Sequence, residues 1–435
     1  MKQEVILIFD MGKTNKKYYL FDQQYHELEK GYVQFPEITD DDGFPCDDLS
    51  AITQWMLSVA DAVRANEKYE LGAINFSGYG ATLVHLHKGK VCAPMYNYCK
   101  PLPGNITQLF IDKHGDLNRW SKQTASPYLG ILNAGLQLFW LKYTKPEIYR
   151  QIDRTLFFPQ YLSYMFTGIP VTEYTGLGCH TGLWDFEQSD LHRWVYAEQM
   201  DQLLPELSAS TDACLAGDSR IRVGSGIHDS SAALVPYLRK DGHPFLLLST
   251  GTWSICLNPF NSSVLTDEEL AADCLCYLQP DGKQVKSSRL FLGNIFTKWE
   301  GILATHFGKS ASYHQSIAFD PQLFAKASRI KSPLFVSVKT AGSAYFEQNP
   351  VMDLSWFLSY EEAYHQLLHE LVSLQVEKIR LVQGNGKPDR LYVDGGFSKN
   401  GVFLGTLRAL LPGFSVIPSD AALGSSLGAA MVLEK

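Results

Sequence analysis

The 435-residue sequence has no apolar stretch of the ~18 or more residues that a membrane-spanning helix needs. Its opening residues hold only a short apolar run, without the longer core and small-residue cleavage site of a secretory leader. Positive charge is scarce: 38 Lys and Arg against 46 Asp and Glu leave a net charge of −8, which argues against nucleic acid as the main partner. Eight cysteines, at 46, 92, 99, 179, 214, 256, 274 and 276, are too scattered for a disulfide framework. Cys274 and Cys276 have no second close Cys or His pair to complete a metal site. His365 and His369 have the i,i+4 spacing of a zinc helix, but His-Gln-Leu-Leu-His lacks the glutamate of that motif. Ser77, in Ser-Gly-Tyr-Gly, lacks the frame of a hydrolase elbow. What remains is a cytoplasmic, enzyme-sized chain with no membrane partner, long enough for two domains of roughly 200 residues each.

The apolar pattern supplies the elements. Val5 to Phe9 and Tyr18 to Phe21 read as two strands around a polar, glycine-containing turn, and Leu71 to Asn75 as another strand. Gly135 to Tyr143 has helical spacing, and Phe157 to Phe166 reads as a helix stopped at Gly168. Phe245 to Leu257 repeats the strand, glycine turn, strand form of the opening, so a duplicated fold is the economical reading. The turn-rich stretch from Tyr237 to Pro244 marks the boundary, giving domains 1–238 and 239–435. Helices are expected at 291–306 and 360–383, a strand at Leu391 to Val393, and a closing small-residue helix from Ala421 to Val432. Strands alternating with helices place the chain in the α/β class.

Four stretches carry chemistry. Asp10-Met11-Gly12-Lys13-Thr14-Asn15-Lys16-Lys17 follows a strand with a glycine turn, whose exposed N–H groups make a concave anion site. Thr14 and Asn15 add donors, three lysines add positive charge, and Asp10 is placed to hold Mg2+ through its water shell. Gly12-Lys13-Thr14 is no P-loop ending, because Leu7 stands where the first glycine belongs. Ser249-Thr250-Gly251-Thr252 offers a second phosphate turn. In Gly224-Ser-Gly-Ile-His-Asp-Ser-Ser-Ala-Ala233, two glycines precede His228-Asp229 and a helix start, where the helix dipole favours the ionised carboxylate. Such a carboxylate can accept the proton of an attacking hydroxyl. The glycine pair in Tyr392-Val393-Asp394-Gly395-Gly396-Phe397-Ser398-Lys399-Asn400 lets backbone approach a flat ligand.

Taken in order, DMGKTNKK, GIHD, LLSTGTWS and VDGGFSKN resemble the FGGY carbohydrate kinases of the actin–hexokinase–Hsp70 ATPase superfamily. NAGLQLFWLKYTKPE and PQYLSYMFTG resemble further family segments, so the likeness covers nearly the whole chain. The resemblance implies two ribonuclease-H-like domains flanking a deep cleft, with sugar mainly on the first domain and ATP mainly on the second. Asp229 then stands in the place of the catalytic base, and His228 lines the sugar site. Asp10, Gly12, Lys13, Thr14, Asn15 and Lys17 correspond to the first phosphate turn, and Thr250, Gly251 and Thr252 to the second. Gly395, Gly396, Phe397 and Asn400 correspond to the adenosine segment. Asp10 and Asp229 are the expected Mg2+ carboxylates. Ser77, Gly78, Tyr79 and Gly80 stand at a strand end that carries sugar contacts in relatives. Lys13 departs from the family's usual Thr, and Tyr96 to Pro101 replaces its Trp-Arg-Asp-type substrate segment. The stretch 350–375 matches the family's second consensus poorly.

Thr172-Glu173-Tyr174-Thr175 and Gln160-Tyr161-Leu162-Ser163-Tyr164 are similar to rhamnulokinase segments. The implied acceptor is a 6-deoxyketohexose such as L-rhamnulose or L-fuculose, with a pentulose such as ribulose or xylulose close behind. A non-catalytic nucleotide or sugar sensor and a chaperone- or actin-like ATPase are the other readings of the fold. Asp10 and Asp229 speak against the sensor, and GIHD against the ATPase. The small-molecule sugar is the expected partner, and a homodimer is left open.

Overall fold

The computed structural model describes residues 2–215, 220–337, 347–348, 352–386, 388–419 and 424–434. The chain forms two compact units. One comprises Met1–Lys240, Cys276–Gln284 and Leu423–Lys435, and the other Asp241–Leu275 and Val285–Ala422.

In the first unit, a mixed sheet runs Ala213–Leu215, Arg222–Gly224, Tyr69–Gly78, Gln3–Met11, Lys16–Phe21, Glu27–Val33, with Ile227–His228 also pairing Tyr69–Gly78. Gln3–Met11 is antiparallel to Lys16–Phe21 and parallel to Tyr69–Gly78. Its apolar run is continuous because the strand is buried on both faces. Val5, Leu7, Phe9 and Met11 join one core with Ile52, Met56 and Ala60 of the helix Leu49–Ala65. Ile6 and Ile8 join another with Ala232, Val235, Ala429 and Ala430. In the second unit the neighbouring strands run Ser254–Asn258, Phe245–Thr250, Arg390–Gly395, Ser415–Pro418. Phe245–Thr250 is again antiparallel to the next strand and parallel to a later one, Arg390–Gly395. Both sheets thus repeat one pattern, the duplication read from the two hairpins.

The sequence does not divide cleanly at residue 238/239. The first unit ends its main run at Lys240, but residues 276–284 and 423–435 also belong to it. Of the expected closing helix, residues 421–423 lie outside the described residues, and the helix is Gly424–Met431. Its apolar residues Ala429 and Ala430 bury against Ile6, Ile8 and Ala232, and a glycine permits the close approach. Gly428 lies so close to the helix Asp229–Lys240 that a Cβ there would sit 1.8 Å from the Ala232 carbonyl oxygen. Only a residue without a side chain permits that approach. Gly428→Ala is therefore expected to destabilise the first unit by about 1–3 kcal/mol, read as a lower urea midpoint at unchanged m-value.

Part of the 350–375 stretch, residues 350 and 351, lies outside the described residues; Tyr360–Gln383 is one helix. Its His365 and His369 bond separately, His365 to Glu361 and the Asp320 N–H, His369 to Ser328. Among the described residues, no helix is long and apolar enough to cross a membrane.

Candidate active site

Parallel pairing gathers the first unit's chemistry at one end of its sheet. The register sets Asp10 opposite Ser77, Met11 opposite Gly78, and His228 opposite Gly78. Three stretches far apart in sequence thus meet where strands end in loops, the usual place for ligands in such sheets. Asp229 is the first residue of the helix Asp229–Lys240, as its motif predicts. Its Oδ1 accepts the Ser230 N–H at 2.6 Å, and 36% of its side-chain surface stays open. Burial pushes the Asp229 carboxyl up to about 6, against the pull of Ser230. Asp10 is also pushed up to about 6, first by burial and then by the Asp229 carboxylate. Ser425, Lys17 and Ser77 pull it back. Ser425, from the C-terminal helix, donates to Asp10 Oδ1 at 3.2 Å.

His228 is held from several sides. Its N–H donates to Thr175 Oγ1 at 2.9 Å, and its ring lies over Tyr277. Nε2 lies 3.2 Å from Asp229 Oδ1 and 3.1 Å from Cys179 Sγ. Burial pushes its pKa down to about 4, so the ring is neutral at pH 7. Gly80 makes this packing feasible, since a Cβ there would sit 2.5 Å from Cys179 Sγ. Thr172-Glu173-Tyr174-Thr175 serves the same loop. Buried Glu173 accepts from Thr175 Oγ1 at 2.7 Å and from the Gly176 N–H at 3.0 Å.

The first turn differs from expectation in its lysines. Lys13 Nζ lies 2.5 Å from Asp47 Oδ2 and 3.2 Å from Glu37. Lys16 Nζ lies 2.8 Å from Asp47 Oδ1, and Tyr79 donates its hydroxyl to Oδ2 at 2.9 Å. Two of the three lysines are therefore engaged by one buried carboxylate rather than offered freely to phosphate. Lys17 is the one whose charge acts on Asp10. Thr14 is exposed, and Asn15 accepts from Gln34 at 2.8 Å and closes the turn onto the Gly12 N–H at 3.0 Å. The Tyr79 hydroxyl likewise faces Asp47, while half-buried Tyr98 feels the charges of Asp229, Lys13 and Asp47.

In the second unit, Thr250 pairs with Gly395, so its two glycine turns lie side by side at the strand ends. Gly251, Thr252, Gly395 and Gly396 are exposed there. Thr250 Oγ1 donates to the Asp394 carbonyl and accepts the Phe397 N–H at 3.1 Å. Gly395, at φ +82°, would put a Cβ 1.9 Å from the Thr250 carbonyl oxygen. The glycine pair is thus needed to build the turn as well as to expose it. Phe397 and Asn400 follow this rim with their side chains engaged in packing and capping. Phe397 is buried against Phe296 and Phe403, and Asn400 caps the helix Gly401–Leu410 and bonds the Tyr364 hydroxyl at 2.7 Å.

Sequence reasoning missed Asp47, Asn75, Cys179 and Ser425. None stands in a spacing motif, and each reaches the site through long-range packing.

The N-terminal domain profile of the FGGY family of carbohydrate kinases matches residues 5–233. The chain is 25% identical over 405 residues to a rhamnulokinase from Bacteroides thetaiotaomicron, covering 85% of this chain and 78% of that one. A carbohydrate kinase from Novosphingobium aromaticivorans superposes with a TM-score of 0.82 at 23% identity, over 100% of this chain and 92% of that one. A ligand-bound xylulose kinase from Lactobacillus acidophilus gives 0.77 at 15% identity, over 99% and 89%. A Plasmodium falciparum glycerol kinase with ADP gives 0.72 at 16% identity, over 99% and 89%. The fold is that of the actin-like ATPase sugar kinases, and because the profile spans more than half of the sequence, the chain belongs to the FGGY family of carbohydrate kinases, phosphotransferases that use ATP to phosphorylate sugars.

Proposed function

We propose that the protein phosphorylates a ketose, most readily a 6-deoxyketohexose such as L-rhamnulose or L-fuculose, with Asp229 as the general base. The observation that carries the base assignment is the position of Asp229. It is a partly open carboxylate at a helix start, raised to about 6 and hydrogen-bonded by its own Ser230 N–H. A base with a pKa near the working pH combines the deprotonated state with useful basicity. The carboxylate Oδ of Asp229 takes the hydroxyl proton as the oxygen attacks the γ-phosphorus and the bond to the departing ADP oxygen breaks, with Nε2 of neutral His228 3.2 Å from that carboxylate. In this reading the first unit carries the acceptor, with Ser77, Gly78, Gly80 and Tyr98 around it. The second carries the nucleotide, on the backbone of Gly251, Thr252, Gly395 and Gly396.

The residues also fit Mg2+. Two carboxylates near enough for Asp229 to raise Asp10 make a local excess of negative charge, which suits a divalent cation. Bound there through Asp10, Mg2+ would neutralise charge on the phosphate oxygens. The rhamnulokinase relative supports the 6-deoxy acceptor, and the xylulose kinase neighbour supports a pentulose as the second reading. Cytoplasmic location accords with a metabolic kinase.

Coupled ADP release with Mg-ATP, across ketopentoses, 6-deoxyketohexoses, aldoses and polyols, tests the proposal. Strong stimulation by L-rhamnulose or L-fuculose is the expected result; preference for xylulose or ribulose moves the assignment to pentulose, and stimulation only by a polyol overturns a ketose acceptor. The base must be unprotonated, so kcat/KM for the sugar is expected to rise with pH through about 6 and to fall below it. A profile flat down to pH 5 contradicts Asp229 as base.

A further inference from the structure

We propose that Asn75 is a positioning residue for phosphoryl transfer, its buried side-chain amide joining the backbone bulge that aims Asp229 to the C-terminal helix that holds Asp10. This rests on the reading of Asp229 as base.

The bulge follows from the pairing. Val223 stands opposite Ile74 and Ile227 opposite Ser77, so four steps on one strand face three on its neighbour. One extra residue has been inserted between Gly224 and Ile227. Because side chains alternate faces along a strand, a one-residue insertion decides which way the following residues point. The bulge sets the faces of Ile227 and His228, the two strand residues that lead directly into Asp229 at the helix start.

Asn75 is fully buried beneath it. Its Oδ1 accepts the Gly226 N–H at 3.1 Å, and its Nδ2 donates to the Ala429 carbonyl at 2.8 Å. Gly226 sits at φ +83°, where a Cβ would lie 2.5 Å from the Pro159 carbonyl oxygen. Its own carbonyl accepts from Gln160 Nε2 at 3.0 Å. The Gly226 residue is thus clamped through its N–H by Asn75 and through its carbonyl by Gln160. Gly224 leaves the room: a Cβ there would sit 2.3 Å from the Asn75 amide. Ala429 is near the end of the helix Gly424–Met431, whose last carbonyls lack partners within the helix. The same helix carries Ser425, the donor to Asp10. One side chain therefore links both carboxylates of the site, and an apolar replacement leaves buried polar backbone groups unpaired.

The test compares Asn75→Ala, Gly224→Ala, the double variant and Asp229→Asn, with kcat expressed per titrated sugar-binding site, which the first unit carries, so that unfolded protein is not counted as slow enzyme. Asn75→Ala is expected to lower kcat about 10- to 100-fold, the scale of a small misplacement of catalytic groups, while the sugar Kd changes little. Gly224→Ala drives a methyl into the amide and lowers kcat as well. In the double variant the clash is gone, so Tm recovers, while kcat stays at the level of Asn75→Ala. Wild-type kcat in Asn75→Ala, or its recovery in the double variant, overturns the proposal, because packing alone would then set the bulge. If Asn75→Ala yields no sugar-binding protein, Asn75→Ser replaces it with the same two outcomes, since a serine hydroxyl is too short to reach both partners. Asp229→Asn separates the two readings. An active Asp229→Asn defeats the base assignment, whereas an inactive one beside a fully active Asn75→Ala defeats the positioning role alone.

Discussion

Asp229→Asn is expected to lower kcat for sugar phosphorylation by about 10²–10⁴-fold, the contribution of a positioned general base. The amide keeps the size and the polar edge of the carboxylate but cannot accept a proton. KM for ATP is expected to change little, because the nucleotide turns proposed for the second unit are built from Thr250, Gly251, Gly395 and Gly396. The same substitution should act on stability in the opposite direction. A carboxyl whose folded pKa is raised favours the fold when protonated; that stability is fully present below the unfolded value and is lost as pH rises through about 6. At pH 7–8 the native Asp229 is therefore a net cost, shared with the repulsion it exerts on Asp10. An uncharged Asn removes it, so Asp229→Asn should have a higher Tm than the wild type at pH 8 and a smaller difference at pH 5. Lost turnover with raised stability marks a group kept for chemistry. Near-normal turnover would remove Asp229 from the mechanism, and a lower Tm at pH 8 would mean that its charge is stabilised by groups other than those around it here.

How far the fold was legible follows from the range of the forces. Val5 to Phe9 reads as a strand because it is buried on both faces, and the helix after Phe157 ends at Gly168 because that residue adopts φ +68°. These are local facts. So is the start of a helix at Asp229, signalled by two glycines and a run of small residues. The return of Gly424–Met431 to the first unit is not local: it needs Gly428 to meet Ala232, nearly 200 positions earlier. Nothing in the spacing of small residues says which helix they will touch. The bulge before Ile227 is likewise invisible until Tyr69–Gly78 supplies a register. Phe397 and Asn400 show that residues of one motif can also carry core packing and helix capping, roles that the motif alone does not reveal. The lysines of the opening turn fall between these cases. Their charge is plain in the sequence, but the carboxylate that holds two of them lies some thirty residues away.

That carboxylate carries the other large expected effect. Asp47→Ala should destabilise the first unit by about 3–5 kcal/mol, the usual result of removing one partner from a buried ion pair. Lys16 is 2% exposed and Asp47 8%, so neither charge can turn to water when the other is lost. Without Asp47, the Lys16 ammonium retains the Lys13 carbonyl at 2.8 Å and the face of the Tyr79 ring but no counter-charge, and the Tyr79 hydroxyl loses its acceptor. Burial pushes the Asp47 carboxyl up, but Lys13 and Lys16 together hold it below the ordinary range. A depressed carboxyl stabilises the fold above its unfolded pKa of about 3.9, and that contribution is lost only as pH falls through the lower folded value. The loss in Asp47→Ala should therefore be as large at pH 5 as at pH 8. Replacing Lys16 as well separates charge from packing. If the cost is an uncompensated ammonium, Asp47→Ala with Lys16→Met recovers much of the urea midpoint, because two apolar groups can replace a buried pair at little cost. If the double variant is as unstable as the single, the packing of the Asp47 side chain carries the effect instead. Recovery of stability without recovery of kcat would further mean that the Gly12–Asn15 turn needs Lys16 in place to present its backbone to phosphate.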